Sequence, residues 1–167
     1  MIPENINIPE LVSEVSDDGV AMGQRIGHES PGLEDGLISV LETAQDGDFG
    51  SAGIVVLDDT PAITSDLRDI AQEVLTQSDV DTVIVRAPAS AAVVSDVHSR
   101  AALEMGQHEL LGTTDYVLGT ELLIRDVTES GLMDINWGQV TIWGLVAVTL
   151  VVIVSAVSVR RKAAQLP

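Results

Sequence analysis

The residues best suited to chemistry in this sequence are two pairs of aspartates. Asp58 and Asp59 directly follow a short apolar run, Gly53 to Leu57, that is typical of a buried strand. The carboxyl ends of such strands are where α/β sheets usually bind ligands, and carboxylate oxygens suit hard cations. If the fold brings Asp17 and Asp18 near, the four side chains form a candidate metal site for a divalent cation such as Ca²⁺ or Mg²⁺.

A purely structural role for these aspartates is the alternative. The sequence DDTP, from Asp58 to Pro61, is also typical of a turn and helix start, because aspartate accepts hydrogen bonds from free backbone N–H groups. Asp46 to Asp48 lacks the downstream spacing of an EF-hand loop. His28, His98 and His108 are too far apart to form a metal pair on one helix. We therefore expect either a divalent cation or no cofactor.

Motifs for nucleophilic catalysis are absent from the sequence. There is no cysteine, no GxSxG elbow, no SxxK pair and no glycine-rich phosphate loop. We therefore predict no catalytic residue. Only four aromatic residues occur, Phe49, Tyr116, Trp137 and Trp143, which argues against a sugar-binding or base-stacking surface.

The charge is distributed unevenly along the chain. All 26 carboxylates and five of the eight cations lie in residues 1–136, which leaves a formal charge of −21 there and +3 in the tail. So acidic a surface repels nucleic acid and anionic headgroups. It is compatible with a basic protein partner, and nucleic-acid binding is excluded as a function class.

A C-terminal segment of twenty uncharged residues, 140–159, predicts a transmembrane helix. Such a helix is about 30 Å long, which matches the hydrocarbon thickness of a bilayer. Indole rings at one end and cations at the other are typical membrane-interface markers. The residues that supply them are Trp137, Trp143, Arg160, Arg161 and Lys162. No small-xxx-small pair is evident, so the segment is predicted to be an anchor to the lipid bilayer.

The positive-inside rule predicts the orientation of this anchor. Cations follow the segment and acidic residues precede it, which places a basic tail in the cytoplasm and the acidic domain outside the cell. The first nineteen residues have neither the basic nor the apolar part of a signal peptide. A late anchor with a short tail therefore also fits a cytoplasmic domain, and this alternative stays open.

Apolar periodicity predicts an α/β domain with a small mixed sheet and helices packed on it, followed by the single transmembrane helix. The predicted helices cover 8–15, 33–44, 67–75, 101–110 and 117–124, and the predicted strands cover 53–57, 81–86 and 91–94. Asp96 or Ser99 is expected to cap the fourth helix, and Thr113 or Thr114 the fifth. The predicted parts are an acidic domain (1–130), a linker (131–139), the transmembrane helix (140–159) and a basic tail (160–167).

The segment from Asp58 to Ala71, DDTPAITSDLRDIA, together with Asp17 to Val20, resembles the TPM domain family. In particular, the chain is similar to small actinobacterial membrane proteins with an N-terminal TPM-like domain and one C-terminal span. The resemblance implies an α/β sandwich in a family that includes cation-dependent, phosphatase-like members and membrane-associated accessory factors. The actinobacterial group accompanies cell-wall peptidases, which implies a regulatory role at the cell envelope. The signal peptide usual in the family is missing here.

Two functions from different classes follow as hypotheses. The first is a membrane-anchored, non-enzymatic interaction module that regulates or scaffolds a peptidoglycan hydrolase, with that hydrolase or its regulator as the protein partner. The second is a divalent-metal-dependent, phosphatase-like enzyme that uses Asp58, Asp59 and Asp17 or Asp18. A membrane-anchored scaffold subunit of a larger complex is a third possibility.

Overall fold

The apolar runs of the sequence form one four-stranded sheet. The computed structural model describes residues 2–131. The strands are β1 (Val20–Met22), β2 (Ala52–Val56), β3 (Thr82–Ala87) and β4 (Ser90–Ser95), in the order β1-β2-β3-β4. β1 and β3 run parallel to β2, with Ile54 opposite both Val20 and Ile84, and β4 is antiparallel to β3. The predicted small mixed sheet is confirmed.

Six helices cover the two faces of this sheet within residues 2–131. They are α1 (Ile8–Asp18), α2 (Gln24–Glu29), α3 (Leu33–Asp46), α4 (Asp66–Gln77), α5 (Arg100–Gly112) and α6 (Tyr116–Gly131). Successive side chains of a strand point to opposite faces, so each buried strand contributes to two apolar clusters. Ile54 and Val56 pack with α3, α5 and α6, whereas Val55 packs with α1 and α4. The domain is a three-layer α/β/α sandwich.

Of the two predicted helix caps, one is confirmed and one is wrong. The Oγ atom of Ser99 accepts a hydrogen bond from the backbone N of Ala102 at 3.3 Å, which confirms the predicted cap of α5. For α6, the prediction of Thr113 or Thr114 was wrong, because Oδ1 of Asp115 accepts from the backbone N of Leu118 at 3.0 Å. Thr113 instead accepts from the backbone N of Asp115 at 3.1 Å and so orients the capping residue.

The region from Gly19 to Ile26 contains a short strand and the start of a short helix. Gly19 ends α1 in the left-handed conformation at φ +88°, which glycine adopts without strain. β1 follows at once, and α2 begins two residues after β1 ends. Helix α2 has only six residues, too few for its amphipathic periodicity to stand out in the sequence.

A buried arginine joins α5 to the start of α6. Arg86, in β3, is only 4% exposed, and its Nη1 and Nη2 donate to the carbonyl oxygens of Leu110 and Thr113 at 2.6 and 2.9 Å. These carbonyls lie at the end of α5, where no backbone partner is available. The guanidinium also lies 5.1 Å from the centre of the Tyr116 ring. Arg86 therefore fixes the turn between the two helices.

The predicted fold class needs one correction, which concerns the transmembrane helix. The described part of the chain is the α/β domain alone, and no helix between residues 2 and 131 is long and apolar enough to cross a bilayer. The chain divides into two units, Met1–Leu132 and Met133–Pro167. The predicted linker, the span at 140–159 and the basic tail lie outside the described residues, apart from the first linker residue.

Candidate functional site

Two neighbouring parallel strands end at the edge of the sheet where the first candidate aspartates lie. Gly23 follows β1, and its backbone N donates to the carbonyl oxygen of Val56 at 2.7 Å. Leu57 continues from β2 and its backbone N donates to the carbonyl oxygen of Arg86 at 2.8 Å. Asp58 and Asp59 come next, at the carboxyl end of the central strand. This is the position that the sequence predicted for them.

The carboxylate of Asp58 caps helix α2 from a distant part of the chain. Its Oδ1 accepts from the backbone N of Ile26 at 2.9 Å, and its Oδ2 accepts from the backbone N of Arg25 at 3.2 Å. Both donors belong to the first turn of α2, where backbone N–H groups have no partner within the helix. Asp58 therefore acts as an N-cap for α2, although the helix that follows Asp58 in the chain is α4.

Arg25 completes this arrangement, which we call the aspartate edge (Gly23, Arg25, Asp58 and Asp59). The Nη2 atom of Arg25 donates to the backbone carbonyl oxygen of Asp58 and, at 3.2 Å, to Oδ1 of Asp59. Its Nη1 lies 3.6 Å from Oε2 of Glu29, one turn further along α2. Asp59 is exposed, so water screens its ion pair with Arg25 strongly. The one cation of this edge balances part of the local negative charge.

Gly23 gives the backbone room to approach Asp58. A Cβ atom at this position would lie 2.6 Å from Cγ of Asp58 and 2.9 Å from its backbone N. Real Cβ atoms do not come so close to backbone atoms, so any other residue would displace the strand end or the aspartate. The capping geometry of Asp58 thus depends on a glycine at position 23.

The second pair of candidates lies at the end of α1. Oδ1 of Asp18 accepts from the backbone N of Val20 at 2.9 Å and helps the chain to turn from α1 into β1. Asp17 and Asp18 are exposed and line a cleft of about 250 Å³, whereas Asp58 and Asp59 line a neighbouring cleft of about 300 Å³. Glu14 lines both clefts. The fold therefore brings the two pairs to adjacent clefts and not into one.

No metal centre is formed by these side chains in residues 2–131. In that range, no group of three or more histidine, aspartate or glutamate side chains has the geometry to hold a metal ion. Asp58 offers its oxygens to backbone N–H groups, and Asp18 does the same. Binding of a cation in either cleft would need these carboxylates to exchange hydrogen bonds for metal ligation.

Glu14 is the group with a perturbed acidity at this end of the domain. Partial burial raises the pKa of Glu14 above its ordinary value, and the negative charge of Glu10 raises it further. A hydrogen bond from the backbone of Met22 acts in the opposite direction, while Glu34 and Asp18 add to the increase. Acidic side chains that line the two clefts thus disfavour the ionised form of Glu14.

A serine, an aspartate and a histidine also lie close together at the other end of the sheet. Ser51 donates its hydroxyl to Oδ2 of Asp81 at 2.6 Å, while Nε2 of His98 lies 2.8 Å from the carbonyl oxygen of Phe49. The rings of His98 and Phe49 are stacked at a tilt, with centroids 4.5 Å apart. The imidazole is bonded to a backbone carbonyl and not to Ser51, so these three residues do not form a catalytic triad.

A groove between α3 and α6 has a volume of about 490 Å³. Its apolar residues are Val40, Ala44, Phe49 and Ile124. Around them lie the polar and charged side chains Ser39, Thr43, Asp48, Glu121, Arg125, Thr128 and Glu129. We call this feature the helix groove. No pattern in the sequence indicates this groove.

Comparison with known proteins identifies the family. The family described as membrane protein Rv1476 matches residues 1–166, which is nearly the whole chain. The chain belongs to this family. None of the curated proteins matches it.

A solved structure has a similar fold to that of this family member. It is the solution NMR structure of the N-terminal domain of the cg2496 protein from Corynebacterium glutamicum, with a TM-score of 0.52 and 13% sequence identity. The similarity covers 78% of this chain and 86% of that domain. At this identity the comparison supports the fold alone. Neither comparison names the TPM family, so that resemblance stays a prediction.

The description of the family as a membrane protein agrees with the predicted location at a membrane. It says nothing about the number of spans or about the side on which the domain lies. The residues predicted to mark the anchor lie outside the described part of the chain; they are Trp137, Trp143, Arg160, Arg161 and Lys162.

Three residues of the aspartate edge and its surroundings, Gly23, Arg25 and Glu14, were missed in the sequence. Arg25 carried the best available signal. It is one of only five cations in residues 1–136, which also hold 26 carboxylates, so an ion pair between Arg25 and a carboxylate was to be expected. Gly23 and Glu14 carried no distinguishing signal, because their importance arises from contacts between distant segments.

Proposed function

We propose that this chain is a membrane-attached, non-enzymatic interaction module of the cell envelope that regulates or scaffolds a peptidoglycan hydrolase. The observation that supports this proposal is the use of the candidate site residues. Asp58 caps α2, Asp18 caps the turn into β1, and Asp59 pairs with Arg25. Side chains that accept hydrogen bonds from backbone N–H groups in this way stabilise the fold. The helix groove, in contrast, has apolar lining residues that a partner protein can contact.

The location in this proposal is based on the family and on charge. A family described as a membrane protein supports attachment to a membrane. Residues 1–136 carry −21 of formal charge and residues 160–167 carry +3, so the positive-inside rule favours the domain outside and the tail in the cytoplasm. The choice of a cell-wall hydrolase as partner comes from the resemblance to TPM-like actinobacterial proteins.

The function is tested with the full chain in lipid nanodiscs and a purified peptidoglycan hydrolase from an actinobacterial envelope. We expect the two proteins to co-purify and the rate of peptidoglycan digestion to change when the chain is added. Empty nanodiscs are the control for lipid effects. If the hydrolase neither binds nor changes its rate, the proposed partner is wrong.

The second candidate function is a divalent-metal-dependent phosphatase of the TPM type. The observation that supports it is the location of the aspartate edge at the carboxyl end of a central strand. A cleft of about 300 Å³ at the carboxyl end of a central strand is where an α/β enzyme would bind its substrate. Asparagine keeps one of the two acceptor oxygens of Asp58, so Asp58→Asn should retain the hydrogen bond from Ile26 and lose the longer one from Arg25 while weakening any metal site; circular dichroism checks that the fold is kept. Turnover of p-nitrophenyl phosphate with Mg²⁺ or Ca²⁺, lost in Asp58→Asn and Asp59→Asn, would favour this enzyme over the interaction module.

The side of the membrane is tested by cysteine labelling of intact cells followed by purification of the chain, since the chain has no cysteine of its own. Ser13 is exposed on α1, so Ser13→Cys reports on the domain, and Gln165→Cys reports on the tail. We expect an impermeant maleimide to label intact cells at position 13 and not at position 165. Labelling at position 165 alone would place the domain in the cytoplasm and contradict a role at the cell wall.

A further inference from the structure

The helix groove begins where α3 and α6 cease to be in close contact. Near the start of both helices, a Cβ atom at Gly36 would lie only 2.9 Å from Cγ2 of Val117, so the two backbones approach closely there. Further along, the groove extends from Ser39 to Phe49 on one side and from Glu121 to Glu129 on the other. At 1.5 Å per residue, the eight residues of α3 from Ser39 to Asp46 are about 12 Å long, which is enough for about two turns of another helix.

The lining of the groove is apolar at its base and acidic at its rim. Phe49 and Ala44 are buried, and Ile124 is partly buried, so the base consists of residues continuous with the core. Asp48, Glu121 and Glu129 are exposed at the rim. The one rim cation, Arg125, donates from Nη2 to Oδ1 of its neighbour Asp126 at 3.0 Å. The rim therefore presents net negative charge around an apolar base.

These features define the chemistry of an occupant. An apolar base with a rim of one charge sign selects a segment that has an apolar stripe flanked by charges of the opposite sign. A groove between two helices, about two turns long, fits an amphipathic helix with apolar residues at positions i, i+3 or i+4, and i+7. An acidic segment or an anionic lipid headgroup would be repelled by this rim and by the domain as a whole.

We propose that the groove between α3 and α6 is a docking site for a basic amphipathic helix of a partner protein. This inference rests on the proposed interaction function and names the surface and the chemistry through which it acts. Apolar side chains of the partner helix fill the base beside Phe49 and Ile124, and its lysine or arginine side chains lie beside Glu121 and Glu129. Binding should weaken as the salt concentration rises, because the rim charges are exposed.

The test uses a defined probe and the full chain in nanodiscs of zwitterionic lipid. The probe is a fluorescent helical peptide of roughly 18 residues with a leucine stripe and flanking lysines. A second peptide has the same leucines and glutamate in place of every lysine. We expect saturable binding of the basic peptide, and binding of the acidic peptide that is at least about tenfold weaker.

Substitutions in the groove and a matched control localise the binding. Thr43→Trp places a large ring in the groove from an exposed position and should weaken binding by more than about tenfold. Gln45→Trp, also exposed on α3 but outside the groove, should leave it unchanged. Removing the rim charges in Glu121→Gln/Glu129→Gln should weaken binding by roughly threefold to tenfold.

Three outcomes would overturn the inference. The first is the absence of saturable peptide binding up to about 1 mM peptide, and the second is an equal loss of peptide binding in the two tryptophan variants. The third is self-association of the chain that Thr43→Trp abolishes, because the occupant of the groove would then be a second copy. If the hydrolase responds to the chain but Thr43→Trp has no effect on that response, the docking site is wrong and the function stands. If the peptide binds and the hydrolase does not respond, only the identity of the partner is wrong.

Discussion

The aspartate edge and the helix groove both display carboxylates, but they use them differently. At the aspartate edge, the carboxylate of Asp58 accepts backbone N–H groups of α2, and Asp59 pairs with Arg25. Around the groove, Glu121 and Glu129 are exposed beside apolar side chains. A count of acidic residues treats the two places as equal. The hydrogen bonds show that the first place stabilises the fold and that the second presents charge to solvent.

This difference explains why the place with the stronger sequence signal is the weaker candidate for function. A pair of aspartates after a strand attracts attention because many enzymes place ligands there. The same chemistry, a carboxylate near free N–H groups, also caps helices. Which role applies depends on which N–H groups the fold brings near, and here they belong to a helix more than thirty residues away in sequence.

The largest effect that we predict concerns the helix layer that carries the groove. Arg86→Met removes both donors to the carbonyl oxygens of Leu110 and Thr113 and leaves these acceptors buried. Each unsatisfied buried acceptor costs about 1 to 3 kcal/mol, so the free energy of unfolding should fall by more than about 2 kcal/mol. Denaturant unfolding of the full chain, followed by circular dichroism, measures this change.

The matched control for Arg86→Met is Arg100→Met. Arg100 is exposed and pairs with Glu104 one turn away at 2.7 Å, so its removal should change the free energy of unfolding by less than about 0.5 kcal/mol. Burial of an arginine also costs desolvation energy, which methionine avoids. If Arg86→Met were as stable as the wild type, desolvation would outweigh the two hydrogen bonds and the groove would not depend on this arginine.

A smaller effect would show whether the aspartate edge is rigid. Gly23→Ala places a Cβ atom 2.9 Å from the backbone N of Asp58, so either the strand end or the cap of α2 must move. We expect a loss of about 1 to 3 kcal/mol in the free energy of unfolding, as for other overpacked positions. Gly112→Ala is the control, because nothing lies within 4 Å of its added methyl group. A fully stable Gly23→Ala would mean that Asp58 moves easily and would favour the metal-dependent alternative.

The elements of the domain were predictable because they depend on local patterns. The apolar spacing of α1, α3 and α4 and the continuous apolar run of β2 each gave the correct element type. Ser99 was recognised as a cap for the same reason, since a cap lies within three residues of its donor. The cap of α6 was misplaced by one or two residues, because Thr113, Thr114 and Asp115 are all capping residue types.

The relations between distant segments were not predictable in the same way. No sequence pattern connects Asp58 with the first turn of α2, and Arg86 was read only as the end of a strand. The helix groove likewise arises from the approach of α3 and α6 at Gly36 and Val117, far apart in the chain. The sequence identified which residues are acidic or apolar, but their roles depend on tertiary neighbours.

The smallest effect that we predict tests whether the acidic clefts carry unfavourable charge. The pKa of Glu14 is raised by burial and by Glu10, so its ionised form is less favourable in the folded protein than in the unfolded chain. The contribution of this carboxyl to stability is therefore fully present below its ordinary pKa of 4.5 and is lost as the pH rises through the higher folded value.

Replacement of Glu14 by glutamine removes the charge and with it the pH dependence of this position. At pH 7, Glu14→Gln should have a higher melting temperature than the wild type, with a gain in free energy of less than about 0.5 kcal/mol, and the difference should vanish below about pH 4. Glu42→Gln removes an equal charge from an exposed position on α3 and should show a smaller difference. A lower stability of Glu14→Gln at neutral pH would show that its hydrogen bond from Met22 outweighs burial and repulsion. The clefts beside the aspartate edge would then tolerate their negative charge without help from a cation, and the contrast with the groove would be sharper still.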